Sequence, residues 1–138
     1  MNVARHLTRT AARAPSQPAI VAPARGGRWR SVTYAELDDD SSRIARGLAA
    51  LGVTRGERTL VMVRAGIELI TLTYALFKRG ATPVLIDPGM GRQAFLRCVA
   101  TTRPTAFVGI PLAHVARLLF PTAFQTVCRH VTVGSRWA

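Results

Sequence analysis

An α/β fold, with an N-terminal helix and β-hairpin followed by a doubly wound, mostly parallel sheet of β-α-β units, is predicted by three features of the sequence. "TLVMV" and "TPVLI" are continuously apolar, as strands covered on both faces are, and "GIELITLTYALFKRG" between them reads as a largely buried helix. A second helix-and-strand pair, "GRQAFLRCVATTRP" then "TAFVGI", repeats the unit. Earlier, "AIVAP" and "RWRSVTY" flank "ARGG", a glycine turn between two antiparallel strands. With 138 residues, 49% of them hydrophobic, the chain can bury one core.

The first helix is predicted from Asn2 as its cap, with Val3, Leu7, Ala11 and Ala14 on one stripe. "ARAPSQP" breaks it before the hairpin. "TYAE" then has capping-box spacing, the Thr33 hydroxyl accepting from the amide of Glu36 and the Glu36 carboxylate reaching back. The helix it starts has Tyr34, Leu37, Ser41, Ile44, Leu48 and Leu51 as its buried stripe, keeps Asp38, Asp39, Arg43 and Arg46 outside, and ends at Gly52. Gly80 stops the helix after "TLVMV", and Pro111 opens "PLAHVARLLF" at a first-turn position. "QTVCRHVTVG" adds a last strand. Residues 1–33 thus make the helix and hairpin, and 34–138 the β-α-β region.

Nineteen Lys and Arg against seven Asp and Glu give a formal charge of +12, and the sequence pI is 11.7. Lys78 is the only lysine; the arginines are spread along the chain, never adjacent, as a GC-rich coding bias produces. A nucleic-acid module clusters its charge and interleaves stacking aromatics, and only 7% of residues here are aromatic. A basic α/β module for nucleic acid or an anionic surface is therefore the alternative, not the first reading. Cys98 and Cys128 lack CxxC spacing, and His6, His114 and His130 lie far from metal-ligand register, so two buried free thiols in a reducing cytosol are expected. Arg64 and Glu68, then Pro111, Arg117 and Pro121, interrupt the apolar stretches, so no transmembrane segment is expected. Six arginines precede Glu36, the first acidic residue; this also fits a mitochondrial presequence, against an ordinary first helix packed on the domain.

"DPGMG" offers the chain's main candidate for ligand contact: Gly89 and Gly91 can bare amides at a helix N-terminus, while Asp87 and Pro88 equally make a turn that launches the helix. It is neither GxGxxG nor a Walker loop. Arg92 and Arg97 beside it suit phosphate or carboxylate, or solvent. Asp38, Asp39 and Asp40 could bind a metal, but in a first helical turn they diverge and suit the helix dipole. His114 shares its helix with Leu112, Val115 and Leu118 and has no Ser or Cys nucleophile placed to pair with it, so a partly buried helical histidine is expected.

Two stretches carry a resemblance. "SVTYAELDDDSSRIARGLAALGVTRGERTLVMV" and "LFKRGATPVLIDPGMG" are similar, in order and separation, to the first two core motifs of the AMP-forming adenylating enzymes. Trp29, Thr33, Tyr34, Glu36 and Leu37 match the first motif; Phe77, Lys78, Gly80, Ala81, Pro83, Ile86, Asp87 and Pro88 match the second. "VLIDPGMG" with "FVGIPLAHVARLLF" further resembles the bacterial branch that makes β-lactones from β-hydroxy fatty acids.

The resemblance implies a partial N-terminal domain of an acyl-activating ligase, with the phosphate-loop region and C-terminal domain absent, and a close at "VTVGSRWA" without a domain stop. It implies ATP and Mg2+ for the full-length family, a fatty or β-hydroxy fatty acid substrate, and docking to the missing remainder. The family's Gly-rich phosphate loop and adenylation lysine do not occur here, and Lys78 belongs to a helix end, so no catalytic, cofactor-binding or metal residue is assigned. The expectation is a cytoplasmic fragment inactive alone. In this family "LIDPGM" would close a strand and support the ATP site.

Overall fold

The computed structural model describes residues 2–134, which form two compact units, one of residues up to Gly52 with 65–80 and one of 53–64 with the residues from Ala81 onward. Each has its own packed interior, where a single core was expected from length. The partition arises because the helix after "TLVMV" packs with the N-terminal elements, while the strands on either side of it belong to the second unit.

The first unit contains helix α1 (Ala4–Arg13), strands β1 (Pro18–Pro23) and β2 (Trp29–Thr33), helix α2 (Tyr34–Ala50) and helix α3 (Ile67–Arg79). The strands pair antiparallel around a 3-10 turn in which Gly26 and Gly27 take φ of 75° and 71°, so the ARGG turn is made as the glycines require. The capping box is present in full: Glu36 N donates to Thr33 Oγ1 at 3.3 Å and Thr33 N to Glu36 Oε2 at 2.8 Å. Leu7 of α1, Val32 of β2 and Leu37 of α2 form a buried cluster flanked by Ile20, Tyr34, Ile67 and Tyr74. Two stripes shift from expectation. Ala4, Leu7 and Ala11 are the buried face of α1 and Val3 is exposed, because the helix begins after Val3; Asn2 Oδ1 accepts from the Ala4 amide at 3.0 Å. α2 buries Leu37, Ser41 and Leu48 but leaves Leu51 exposed, since Leu51 sits on the turn beyond the last helical residue. α1 has its buried face packed in this unit.

The second unit is a parallel sheet in the order β4-β3-β5-β6, from β3 (Arg58–Met62), β4 (Thr82–Leu85), β5 (Ala106–Gly109) and β6 (Arg129–Thr132), with helices α4 (Arg92–Thr102) and α5 (Pro111–Leu119). Leu60 and Phe107 lie opposite one another on β3 and β5 and, with Phe95 and Val99 of α4 and Phe124, build the core of this unit. Thr59, Val61, Ala106 and Val108 point to the other face and are also buried, as continuously apolar parallel strands require. β4 departs from this. It is an edge strand, Leu85 is exposed, and Pro83, which has no N–H to give a neighbour, sits at such an edge without cost. Among the described residues no helix is long and apolar enough to cross a membrane.

Candidate functional site

In an open parallel sheet the binding crevice lies beyond the carboxyl ends of the strands where their order reverses. Here the chain proceeds from β3 to β4 on one side and then to β5 on the other, placing the reversal at the ends of β3 and β5. The β3–β5 ladder continues one step there: the Ile110 amide donates to the Met62 carbonyl at 3.0 Å. A Cβ on Gly109 would lie 2.7 Å from Phe107 Cζ and 3.1 Å from Ala113 Cβ, so glycine lets α5 approach the strand.

The loop after β4 adopts the turn rather than an open anion cradle. Gly89 N donates to Asp87 Oδ1 at 2.8 Å, a 3-10 turn spans Pro88–Met90, and Gly91 at φ 88° releases the chain into α4. The carboxylate of Asp87 thus occupies an amide that a ligand would need. Arg92 stacks its guanidinium 6.0 Å from the centre of the Phe120 ring. Arg92, Gln93 and Arg97 line an open surface depression with Met90 and Gly91.

Among the other candidates, His114, Asp38 and Asp40 have protein partners. His114 has Nε2 3.2 Å from both the Val131 carbonyl oxygen and Thr132 Oγ1, and its ring meets Phe107 edge-on at 4.7 Å, so it fastens α5 to β6 as a half-buried helical histidine. The acidic run divides. Asp40 pairs with Arg43 at 2.6 Å on the surface, whereas Asp38, expected outside, is half-buried and takes Lys78 at 2.6 Å. Cys98 is half-buried and Cys128 exposed, correcting the expectation of two buried thiols: Cys128 precedes β6, outside the core.

Two polar constellations have no counterpart in the sequence reading. Lys78 Nζ donates to Asp38 Oδ1, to the Asp38 carbonyl at 2.7 Å and to Ser42 Oγ at 2.7 Å, locking α3 to α2 with only 13% of its side chain exposed. Its being the sole lysine was the available signal. Replacing Lys78 by methionine is expected to cost about 2 kcal/mol by taking the cation from the half-buried Asp38 carboxylate, which keeps the Thr8 hydroxyl as a donor at 2.9 Å, read as faster amide exchange in α2 and α3; unchanged exchange would refute the lock. Glu57 is the second. Its carboxylate accepts from the Thr54 amide at 2.7 Å, from Thr105 Oγ1 at 2.7 Å and from Arg129 Nη1, tying the start of β3 to the approaches of β5 and β6. "TRGE" has the same spacing as the Thr33 box, the signal that could have exposed it.

Burial pushes the Glu57 carboxyl up, but the Thr54 amide, the Thr105 hydroxyl and the Arg129 guanidinium outweigh it and hold it below the ordinary range. The Thr33 amide and hydroxyl do the same to Glu36. His130 is held low by partial burial, by the Arg117 charge and by His114. All three folded-state groups bind protons less readily than in the unfolded chain, so stability rises with pH across each window. Acidification is expected to weaken the fold slightly below the ordinary histidine value of 6.5 and more steeply below the ordinary carboxylate value of 4.5. Urea midpoints between pH 8 and 3 test this; a midpoint that rises on acidification contradicts it.

The residues present do not fit ATP or Mg2+ as a complete site. Among the described residues no three His, Cys, Asp or Glu side chains gather for a metal, Lys78 is held by Asp38, and the Gly89 amide by Asp87. What the arrangement supplies is a scaffold: a strand end, a shaped turn and a helix start.

That scaffold and its motifs place the chain in a known class. Residues 7–134 match the model of the AMP-binding enzyme family, and the chain belongs to that family. It is 46% identical over 98% of its length to the olefin beta-lactone synthetase of Stenotrophomonas maltophilia, of which it spans 26%. Its fold superposes on a long-chain-fatty-acid-CoA ligase from Archaeoglobus fulgidus with a TM-score of 0.85 at 21% identity, covering 99% of this chain and 28% of that one. The crystallised N-terminal domain of FACL13 from Mycobacterium tuberculosis gives 0.77 at 19% identity, covering 96% of this chain and 33% of that domain. The chain therefore spans about a quarter of the beta-lactone synthetase it matches and a third of a single ligase N-terminal domain.

Proposed function

We propose that this chain is the N-terminal portion of an AMP-forming acyl-activating ligase of the β-lactone synthetase type, acting in the complete enzyme on a β-hydroxy fatty acid and inactive by itself. The observation that carries the reading is the 46% identity to an olefin beta-lactone synthetase across 98% of the chain. Residues 1–33 contribute the helix and hairpin of a partial domain and 34–138 its β-α-β region. ATP and Mg2+ belong to the complete enzyme, in which a carboxylate attacks the α-phosphate and cations with amide donors must offset charge on the leaving pyrophosphate. No side chain here is assigned to that step. The role of 76–90 is architectural, a strand end and turn supporting the ATP site. A cytoplasmic location accompanies the reading. The basic-module alternative rests on net charge alone and is not favoured.

Purified 1–138 with ATP, Mg2+ and a β-hydroxy fatty acid is expected to release no pyrophosphate; turnover would end the claim of inactivity. Replacing the matching segment of the S. maltophilia synthetase by this chain is expected to leave β-lactone formation measurable. A folded chimera without ATP–pyrophosphate exchange would sink the assignment.

A further inference from the structure

α5 carries its apolar stripe on the side away from its own unit. Leu112, Val115, Leu118 and Leu119 are 74%, 45%, 67% and 66% exposed, and at helical spacing they share one face about a third of the circumference wide. The opposite side holds Ala113, buried against Phe107 and Leu60, His114 bound to β6, and Arg117, whose Nε is buried with no hydrogen-bond partner among the described residues. A helix that turns a guanidinium inward and four large apolar groups outward is arranged for a second covering layer.

We propose that the outward face of α5 is an internal docking surface on which the portion of the ligase absent from this chain packs. This rests on the reading of the chain as part of such an enzyme. The occupant follows from proportion: the chain spans 33% of one ligase N-terminal domain, so most of the surface available to cover a helix of that domain lies in sequence outside it. A second copy is a poorer fit, because a helix of 9 residues falls well short of the roughly 800 Å² per partner buried in a stable interface. An anionic membrane is also a poorer fit, because the helix's one arginine, Arg117, lies away from the stripe.

The test uses the chimera in which 1–138 precedes the remainder of the S. maltophilia synthetase. Leu112→Asp with Leu118→Asp is expected to lower its Tm by more than about 5 °C, whereas Leu112→Met with Leu118→Met stays within about 2 °C of the parent. The same Asp pair in 1–138 alone is expected to increase solubility. Equal Tm values for the Asp and Met chimeras would overturn the proposal, as would failure of the parent chimera to accumulate as folded protein. Loss of self-association by 1–138, or of its binding to anionic phospholipid vesicles, with no effect on the chimera would assign the face to a second copy or to a membrane and overturn it equally. A folded parent chimera lacking pyrophosphate exchange would instead count against the ligase reading and leave the packing result standing.

Discussion

Truncating Phe107 to alanine is expected to cost about 3–5 kcal/mol, the largest loss from any single side chain here. Phe107 is fully buried, opposite Leu60 on β3, and its ring meets both Phe124, at 5.9 Å, and His114, at 4.7 Å, edge-on. The cavity cannot collapse easily. One wall is the β3–β5 backbone ladder and another is α5, held at close range by the absent side chain of Gly109. Part of the loss comes from the edge-on ring contacts, worth about 0.5–1.5 kcal/mol beyond buried area. Urea unfolding followed through amide exchange of β5 would measure it; a loss below about 1 kcal/mol would mean that Phe107 is not the keystone of this unit.

Replacing Glu57 by alanine is expected to cost about 3 kcal/mol. The Glu57 side chain is 7% exposed, while Arg129 is 36% exposed, so water can recover part of the guanidinium's hydration but little of what the Thr54 amide and Thr105 hydroxyl lose. Glu57→Gln keeps the shape and removes the charge, and should fall between the two. The alanine variant also removes one of the two lowered carboxyls, so its stability should vary less with pH below the ordinary carboxylate value of 4.5 than that of the parent. If parent and variant lose stability in parallel there, the acid sensitivity lies elsewhere.

Local rules made most elements legible before any coordinates. The Thr33 box, the ARGG turn, the Gly80 stop and Pro111 at a helix start each depend on a few adjacent residues, and each stands where it was read. What escaped depends on partners distant in sequence. Asp38 finds Lys78 across two helices, Glu57 finds Arg129 across the sheet, and the exposure of Leu112 and Leu118 depends on the sheet taking the other side of α5. Periodicity identifies an apolar face but not which layer meets it. The candidate loop was readable as a turn; that Asp87 holds the Gly89 amide required coordinates.

The parallel sheet has a consequence for the order of events during synthesis. β3 pairs with β5 through Thr59 and Ala106, and β5 with β6 through Ala106 and Arg129, so every ladder joins residues separated by at least one helix. At roughly 5–20 residues per second, β3 leaves the ribosome seconds before its central partner exists. Leu60 and Val61, fully wrapped in the finished unit, are exposed in that interval. The capping box and hairpin can form at once from neighbouring residues, so residues 18–36 can order early while β3 remains the segment on which a chaperone would act.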